Sequence, residues 1–216
     1  MNTTDSYLHK GLRRKLTEEL RAKGIDNTLV LEAIGRVPRH VFMDSSFINF
    51  AYRDQAFPIG AGQTISQPYT VAFQSQLLDV QKHEKVLEVG TGSGYQCAVL
   101  LEMGATVYTI ERFRELYQKA RKTLTAIGYQ PHFFFGDGYE GCPAYSPFDK
   151  IIITAGGNEV PEKLLSQLKV GGKLIMPLGE SSSQVMTVVE KLSANEYHQT
   201  EHGTFIFVPL LKGKVF

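Results

Sequence analysis

The stretch KVLEVGTGSGYQ, residues 85–96, decides the fold of this 216-residue chain. A short apolar run leads into three alternate glycines, Gly90, Gly92 and Gly94, and a helical pattern follows at once. Glycine permits a tight turn and lets a ligand approach the backbone, while the first turn of a helix offers unpaired N–H groups. The stretch therefore predicts a strand, a ligand-binding turn and a helix.

The spacing of the glycines narrows the class of ligand. A dinucleotide fingerprint, GxGxxG, needs a glycine at position 95, where this chain has Tyr95. GxGxG preceded by an acidic residue, here Glu88, resembles the nucleoside loop of S-adenosylmethionine-dependent methyltransferases. A tight strand-to-helix turn without a ligand is the alternative.

Outward from this loop, short apolar runs alternate with helix-length segments in the order β-α-β-α-β-β-α-β through residue 179. Such alternation predicts an α/β fold of Rossmann-like type, with a mostly parallel twisted sheet and helices on both faces. The segments VMTVVEKL, residues 185–192, and TFIFVPL, residues 204–210, are expected to be antiparallel closing strands.

The residues before the loop predict an N-terminal helical extension. Leucines recur every fourth residue from Leu8 to Leu20, and Gly24 supplies a stop signal; Asn27 is placed to cap a second helix. We expect a single domain, 1–216, made of a helical extension with an active-site loop (1–80), a cofactor-binding core (81–180) and a C-terminal substrate segment (181–216).

Composition excludes several classes of function. Lys plus Arg number 23 against 22 Asp plus Glu, so the global basic field expected of a nucleic-acid-binding protein is absent. No run of 18 apolar residues could cross a membrane, and the first 16 residues lack a long apolar segment. We therefore expect a cytoplasmic chain without nucleic-acid or membrane partners. Nothing requires more than a monomer, and no set of histidines predicts a metal site.

Two further strand ends carry acidic residues. Glu111 ends the second strand, about 20 residues after the glycine loop, where a carboxylate accepts hydrogen bonds from ribose hydroxyls. Asp137 and Gly138 follow the third strand, with Asp137 placed to accept from an adenine amino group. The alternatives are a solvated acid at a helix N-terminus for Glu111 and an ordinary Asp-Gly turn for Asp137. Together these features favour an adenosine-containing ligand.

Beyond these motifs the chain resembles one family over most of its length. VLEVGTGSGYQ, AYRDQAFPIGAGQTISQPYTVAFQSQLL, the upstream VPRHVF and the terminal FVPL are similar to protein-L-isoaspartate O-methyltransferases. The GQTISQPY segment, residues 62–69, is the specific part. The resemblance implies methyl transfer from S-adenosyl-L-methionine to the free α-carboxylate of isoaspartyl residues in damaged proteins, after which the ester closes to a succinimide.

The resemblance also assigns residues. It gives Ser66 the active-site position, with Thr64, Ile65 and Tyr69 on the methyl-donor side and Gln67 on the acceptor side. The segment Phe207, Val208, Pro209 and Leu210 is implied to hold the substrate backbone. Because a carboxylate is already ionised at neutral pH, no general base is needed, and neutral donors can orient it without a salt bridge. Capping of the helix that begins near Pro68 is the alternative role of Ser66.

Two departures from the family affect the acceptor side. The turn after the fourth strand reads AGGNEVP, and Ile206 stands where the family usually carries an arginine. Two other functions therefore stay open: a class I methyltransferase with a different acceptor, and a non-catalytic module that binds S-adenosylmethionine.

Overall fold

The computed structural model describes residues 4–180 and 182–216. Six α-helices and nine strands are present in this part of the chain, with short 3-10 helices at Arg39–Phe42, Ser45–Phe50 and Pro143–Tyr145. The helices are α1 Tyr7–Ala22, α2 Thr28–Arg36, α3 Pro68–Leu78, α4 Tyr95–Glu102, α5 Arg114–Ala126 and α6 Glu162–Ser166. The strands are β1 Phe57–Gly60, β2 Gln63–Ile65, β3 Lys85–Val89, β4 Thr106–Glu111, β5 His132–Phe135, β6 Phe148–Ile153, β7 Leu168–Glu180, β8 Ser183–Lys191 and β9 Tyr197–Phe205.

Seven strands form one sheet in the order β5-β4-β3-β6-β7-β8-β9. The pairs from β5 to β7 are parallel, and β8 and β9 are antiparallel additions, which confirms the predicted α/β class. The strand order reverses at β3, whose neighbours are β4 on one side and β6 on the other. Ligands of open α/β sheets bind at such a switch point, beyond the carboxyl ends of the strands.

The sheet buries both faces, as strands of a parallel sheet do. Along β3, Val86 joins one apolar cluster, whereas Leu87 and Val89 join the cluster on the other face. The first cluster also contains Leu16 of α1 and Ile34 of α2. The helical extension therefore packs onto the same core as the sheet.

Local signals place the first two helices. Asn27 caps α2 by accepting the N–H of Val30 at 3.2 Å, as predicted, and α1 ends just before Gly24, whose φ is +95°. The leucine face of α1 is buried only in its second half, because Leu8 and Leu12 are exposed.

The final strand differs from the prediction. β9 begins at Tyr197, in the polar segment between the two expected strands, and ends at Phe205, so most of TFIFVPL lies outside it. Pro209 instead forms an isolated parallel bridge with Gly156 of the AGGN turn, flanked by bonds from the Gly156 N–H to the Val208 carbonyl (2.8 Å) and from the Leu210 N–H to the Gly156 carbonyl (2.7 Å). Exposed polar residues pair as readily as apolar ones once a neighbouring strand is available, so the apolar pattern placed this strand wrongly.

No helix in the described part of the chain is long and apolar enough to span a membrane. Both cysteines, Cys97 and Cys142, are free and buried.

Candidate active site

A cavity with about 810 Å³ of empty space, partly open to solvent, lies at the switch point of the sheet. Its walls come from seven places: the β2 end, α3, the glycine loop with the start of α4, the β4 end, the turn after β5, the β6 end and the segment after β9. The lining residues are Gln63, Thr64, Ile65, Ser66, Val71, Val89, Gly90, Thr91, Gly92, Ser93, Tyr95, Gln96, Ile110, Glu111, Arg112, Phe113, Gly138, Thr154, Ala155, Val208, Pro209, Leu210 and Leu211.

The three glycines of the loop all have positive φ, but they serve different purposes. Gly90 and Gly92 line the cavity. A Cβ at Gly90 would lie 2.5 Å from the Thr154 hydroxyl, which is itself bonded to the Gly90 carbonyl at 2.7 Å. Gly94 faces α5 instead, where a Cβ would lie 2.9 Å from Leu124. The third glycine is therefore required by helix packing rather than by a ligand.

Glu111 organises the loop as well as facing the cavity. Its Oε2 accepts the N–H of Gly92 at 2.8 Å, and its Oε1 accepts the N–H of Phe113 at 2.9 Å. The residue is 4 % exposed, which excludes a merely solvated acid. Each oxygen keeps a second lone pair. The side chain can therefore accept hydroxyl groups of a ligand while it holds the loop.

Glu88 does not line the cavity, and its predicted role in cofactor binding stays a prediction. It is fully buried beneath the glycine loop, where the Thr109 hydroxyl donates to its Oε2 at 2.5 Å. The Thr91 and Thr109 hydroxyls are 2.6 Å apart, so a hydrogen-bonded chain links Glu88 to the loop. Burial raises the pKa of Glu88 to about 8. Below that pH the side chain is mainly a neutral acid.

Ser66 lies at the end of a β-hairpin formed by β1 and β2, and it faces the cavity. Its hydroxyl has no hydrogen-bond partner among the described residues, and the N-cap position of α3 is Gln67, whose side chain also makes no capping bond. The cap comes from elsewhere: Oδ1 of Asp54 accepts the N–H of Tyr69 at 2.8 Å. The Ser66 hydroxyl is therefore free for a ligand, and capping does not explain it.

Tyr69 and Gln67 face a second depression rather than the cavity. Tyr69 stacks on Phe73 and Phe205, with ring centroids 5.7 and 6.5 Å apart, and Ile206 lies on the same depression with 78 % of its surface exposed. This aromatic groove begins next to Ser66 in the sequence. Tyr69 thus lies outside the cavity wall in this structure, and its predicted methyl-donor contact stays a prediction.

The C-terminal tail, residues 212–216, is hydrogen-bonded to Asp137, the side chain that is expected to accept the amino group of adenine. Oδ2 of Asp137 accepts the N–H of Gly213 at 2.7 Å, and Arg112 donates to the carbonyls of Lys212 and Gly213 at 3.0 Å each. Asp137 itself is not on the cavity wall, although Gly138 is. The tail continues beside β4, where Val215 bridges to Phe113.

Of the sixteen residues that sequence reasoning singled out, ten line the cavity: Thr64, Ile65, Ser66, Gly90, Gly92, Glu111, Gly138, Val208, Pro209 and Leu210. The other six lie outside its wall: Gln67, Tyr69, Glu88, Gly94, Asp137 and Phe207. Sequence reasoning missed Thr154 and Ala155, which follow β6 and are recoverable from the rule that strand ends form the site.

One group of metal-ligating side chains is present in the described residues: Asp5, His9 and His40 have ligand atoms within 4.8 Å of one another. Both oxygens of Asp5 are bonded to the guanidinium of Arg13, at 2.9 and 3.0 Å, and this cation opposes a metal ion at the same place. None of these residues lines the cavity. His198 and His202 lie on β9.

Comparison with known proteins agrees with this geometry. Two solved protein-L-isoaspartate O-methyltransferases have the same fold, one with a TM-score of 0.83 and 29% identity over 91% of this chain and 65% of its own. The second, from Plasmodium falciparum and in complex with S-adenosyl-L-homocysteine, has a TM-score of 0.80 and 26% identity over 93% of this chain and 99% of its own. The fold and the glycine-loop cavity define a class I methyltransferase.

The family follows from the sequence comparisons. The family model for protein-L-isoaspartate(D-aspartate) O-methyltransferase matches residues 11–215. A protein-L-isoaspartate O-methyltransferase of Christiangramia forsetii is 59% identical over 97% of this chain and 99% of its own length. This chain belongs to the protein-L-isoaspartate(D-aspartate) O-methyltransferase family.

Proposed function

We propose that this chain transfers the methyl group of S-adenosyl-L-methionine to the free α-carboxylate of L-isoaspartyl residues in damaged proteins and peptides. The observation that carries the proposal is the position of Ser66, which shares one cavity with the glycine loop and Glu111 and has an unengaged hydroxyl. Family membership supports the same reaction.

The lining of the cavity suits the cofactor. Glu111 offers carboxylate oxygens to ribose hydroxyls, and Ile110, Phe113 and Leu210 give apolar surface for a base. When bound, S-adenosyl-L-methionine supplies a methyl group on a positively charged sulfur. Gly90, Gly92 and Gly138 leave backbone exposed along the same wall. We assign these residues to cofactor binding, with Thr64 and Ile65 at the methyl end.

The Asp137 carboxylate already accepts two backbone hydrogen bonds, one of them from the tail. Its Oδ2 is bonded to the Gly213 N–H and its Oδ1 to the Tyr139 N–H. The second lone pair of each oxygen stays available, so the carboxylate can accept an amino group without losing both bonds. We therefore propose that Asp137, next to Gly138, accepts a hydrogen bond from the adenine amino group while it also contacts the tail.

The chemistry at Ser66 is one of positioning. The lining residues from Gln63 to Ser66 and at Val208 carry no charge, so the acceptor carboxylate meets hydroxyl and N–H donors instead of a cation. A salt bridge would lower the nucleophilicity of the carboxylate, whereas neutral hydrogen bonds align it at less cost. Apolar walls exclude water from the same place. Ser66 thus orients the attacking oxygen.

The acceptor peptide is assigned to the surface beside Ser66. Gln67 and the aromatic groove of Tyr69, Phe73 and Phe205 lie on one side, and Val208, Pro209 and Leu210 line the cavity on the other. Main-chain groups of the segment after β9 suit an extended peptide, which explains acceptance of many sequences. Phe207 supports this segment: it is buried, and its N–H donates to Gln184 at 2.8 Å.

The near-neutral net charge of +1 favours protein acceptors over nucleic acid. We further propose that the chain acts as a monomer in the cytoplasm, and that its three segments work as one domain. Residue 181, where the third segment begins, lies outside the described residues.

The test is transfer of labelled methyl to two matched peptides, one with isoaspartate and one with aspartate at the same position. Label on the isoaspartyl peptide alone, lost in mild base as carboxyl esters are, supports the proposal. Base-stable label would indicate a different acceptor, and no label with cofactor still bound would indicate a non-catalytic module.

A further inference from the structure

A carboxylate outside the cavity holds the segment that carries Ser66. Asp54 lies on the turn before β1, and its Oδ1 accepts the N–H of Tyr69 at 2.8 Å. Tyr69 is in the first turn of α3, where N–H groups have no intrahelical partner, and Pro68 has no N–H to offer. Asp54 therefore caps α3 from 15 residues upstream, and its negative charge complements the helix dipole.

This hydrogen bond joins the two ends of residues 55–68, an excursion of the chain between Asp54 and Tyr69. Residues 55–68 leave the turn at Asp54, form the β1–β2 hairpin and return to the start of α3. Within the hairpin, Phe57 pairs with Ile65, so the excursion is also closed near Ser66. Gln67 and Pro68 alone separate Ser66 from the clamped N–H of Tyr69. The position of the Ser66 hydroxyl thus depends on the Asp54 bond.

One cation pairs with the Asp54 carboxylate, and a second holds the backbone next to it. The Lys23 ammonium is 2.5 Å from Oδ2, and the Asp54 side chain is 11 % exposed. The fully buried Arg39 donates to the carbonyl of the next residue, Gln55, at 3.3 Å, so the backbone beside Asp54 is anchored as well. A carboxylate that is only 11 % exposed and is paired with an ammonium group has little freedom to turn away from the Tyr69 N–H.

We propose that Asp54 is a positioning residue for methyl transfer, fixing the Ser66 segment against the cofactor cavity. This inference rests on the proposed function and deepens it. Asp54 contacts neither the glycine loop nor Glu111, so the cofactor walls stay intact without it. Loss of Asp54 should therefore reduce turnover and leave cofactor affinity unchanged.

The chain offers a matched control at the opposite end of the sheet. Oδ2 of Asp149 accepts the N–H of Lys85 at 2.9 Å, and Oδ1 pairs with the Lys169 ammonium at 2.8 Å. Asp149 thus makes the same two kinds of bond as Asp54, at the amino end of β3 and away from the cavity. Asp149→Ala removes equivalent contacts without touching the Ser66 segment.

The experiment compares Asp54→Ala, Asp54→Asn and Asp149→Ala in the full chain. For Asp54→Ala we expect kcat for the isoaspartyl peptide to fall roughly 10- to 100-fold, because small misplacements cost that much, with the dissociation constant of S-adenosyl-L-homocysteine unchanged. Asp54→Asn keeps an oxygen acceptor and should recover part of kcat. Asp149→Ala should lower the melting temperature and keep kcat.

Hydrogen exchange supplies a readout that needs no acceptor. In Asp54→Ala, amides in residues 63–70 should exchange faster, whereas those in residues 90–96 should not change. Unaltered exchange in residues 63–70, or an equal loss of kcat in Asp149→Ala, would overturn the proposal. Failure of the wild-type chain to label either peptide would count against the proposed function, while the exchange data would still decide the role of Asp54.

Discussion

At the scale of single residues, Ser66 and Glu111 face the same cavity but differ in the hydrogen bonds that they make within the protein. Both oxygens of Glu111 already hold backbone N–H groups, while the Ser66 hydroxyl holds nothing in the described structure. Replacing Glu111 must disturb the loop as well as a ligand. Replacing Ser66 removes a group that the fold does not use, so its effect reports on chemistry.

Ser66→Ala should lower kcat roughly tenfold or more, because one orienting hydrogen-bond donor is lost. Its melting temperature and its affinity for S-adenosyl-L-homocysteine should match the wild type. Steady-state kinetics, thermal unfolding and calorimetric titration measure the three quantities. Ser193→Ala, on an exposed turn, is the control. A fall in melting temperature that parallels the loss of activity would contradict this role.

Glu111→Gln should weaken binding of S-adenosyl-L-homocysteine roughly tenfold or more. A glutamine has one acceptor oxygen, so either the Gly92 or the Phe113 N–H is left facing an amide NH₂ group. Isothermal titration measures the change. Glu115→Gln, on the exposed side of α5, is the matched control and should bind as the wild type does. Equal affinity in both variants would show that Glu111 does not bind the ligand.

Glu88 makes stability depend on pH. Its pKa is raised from 4.5 to about 8 by burial, so the unfolded chain releases a proton that the folded chain retains. Stability from this group is fully present below pH 4.5 and is lost as pH rises through about 8. Glu88→Gln lacks this dependence.

We therefore expect Glu88→Gln to gain stability relative to the wild type, by roughly 1 kcal/mol or more, between pH 5 and pH 8. Urea unfolding at several pH values measures the difference. A constant difference across the range would mean that Glu88 is ionised in the folded state.

The sequence was sufficient to predict that the strand ends form the site. It was less informative about which side chains there point into the cavity. Glu88 lies on the same face of β3 as Val86, which the period of two already implies, so its burial was recoverable from the sequence. The Asp54 cap was not recoverable, because its partner Tyr69 is distant in the sequence and no local motif links them.

At the scale of elements, the C-terminal tail and β9 were the parts that sequence patterns described least well. The tail has few apolar residues. Hydrogen bonds from Arg112 to two of its carbonyls, and one from the Gly213 N–H to Asp137, hold it in place. Such main-chain contacts leave no periodic signature in a sequence. The tail is nonetheless bonded to Arg112, which lines the cofactor cavity, and to Asp137, which precedes the cavity residue Gly138, so its removal should have a kinetic consequence.

Deletion of residues 212–216 should speed both binding and release of S-adenosyl-L-homocysteine, because the segment that is bonded to Asp137 and Arg112 is removed. Stopped-flow measurements report the two rate constants. Deletion of residues 215 and 216 alone keeps the bonds of the Arg112 side chain and of Asp137 to the tail and serves as the control. Unchanged rate constants in the longer deletion would show that the tail does not restrict the cavity.

At the scale of the whole molecule, the alternation of apolar strands and helices was sufficient to predict the sheet and its parallel direction. Buried strands such as β3 and β6 carry apolar residues on both faces, as in Val86 and Leu87 and in Ile151–Ile153, which is typical of a parallel sheet covered by helices. The strand order and the docking of α1 and α2 depend on contacts between distant segments, so the sequence pattern alone did not specify them.

The two outer strands of the sheet bear on solubility in the presence of damaged proteins. A bare edge strand recruits other extended chains and seeds aggregation. β9, at one edge, carries mainly polar, exposed residues, and at the other edge Phe135 of β5 is packed against Phe216 of the tail, with ring centroids 5.4 Å apart. An enzyme that binds partly unfolded chains can thus release them again, because neither edge of its sheet favours pairing with an extended chain.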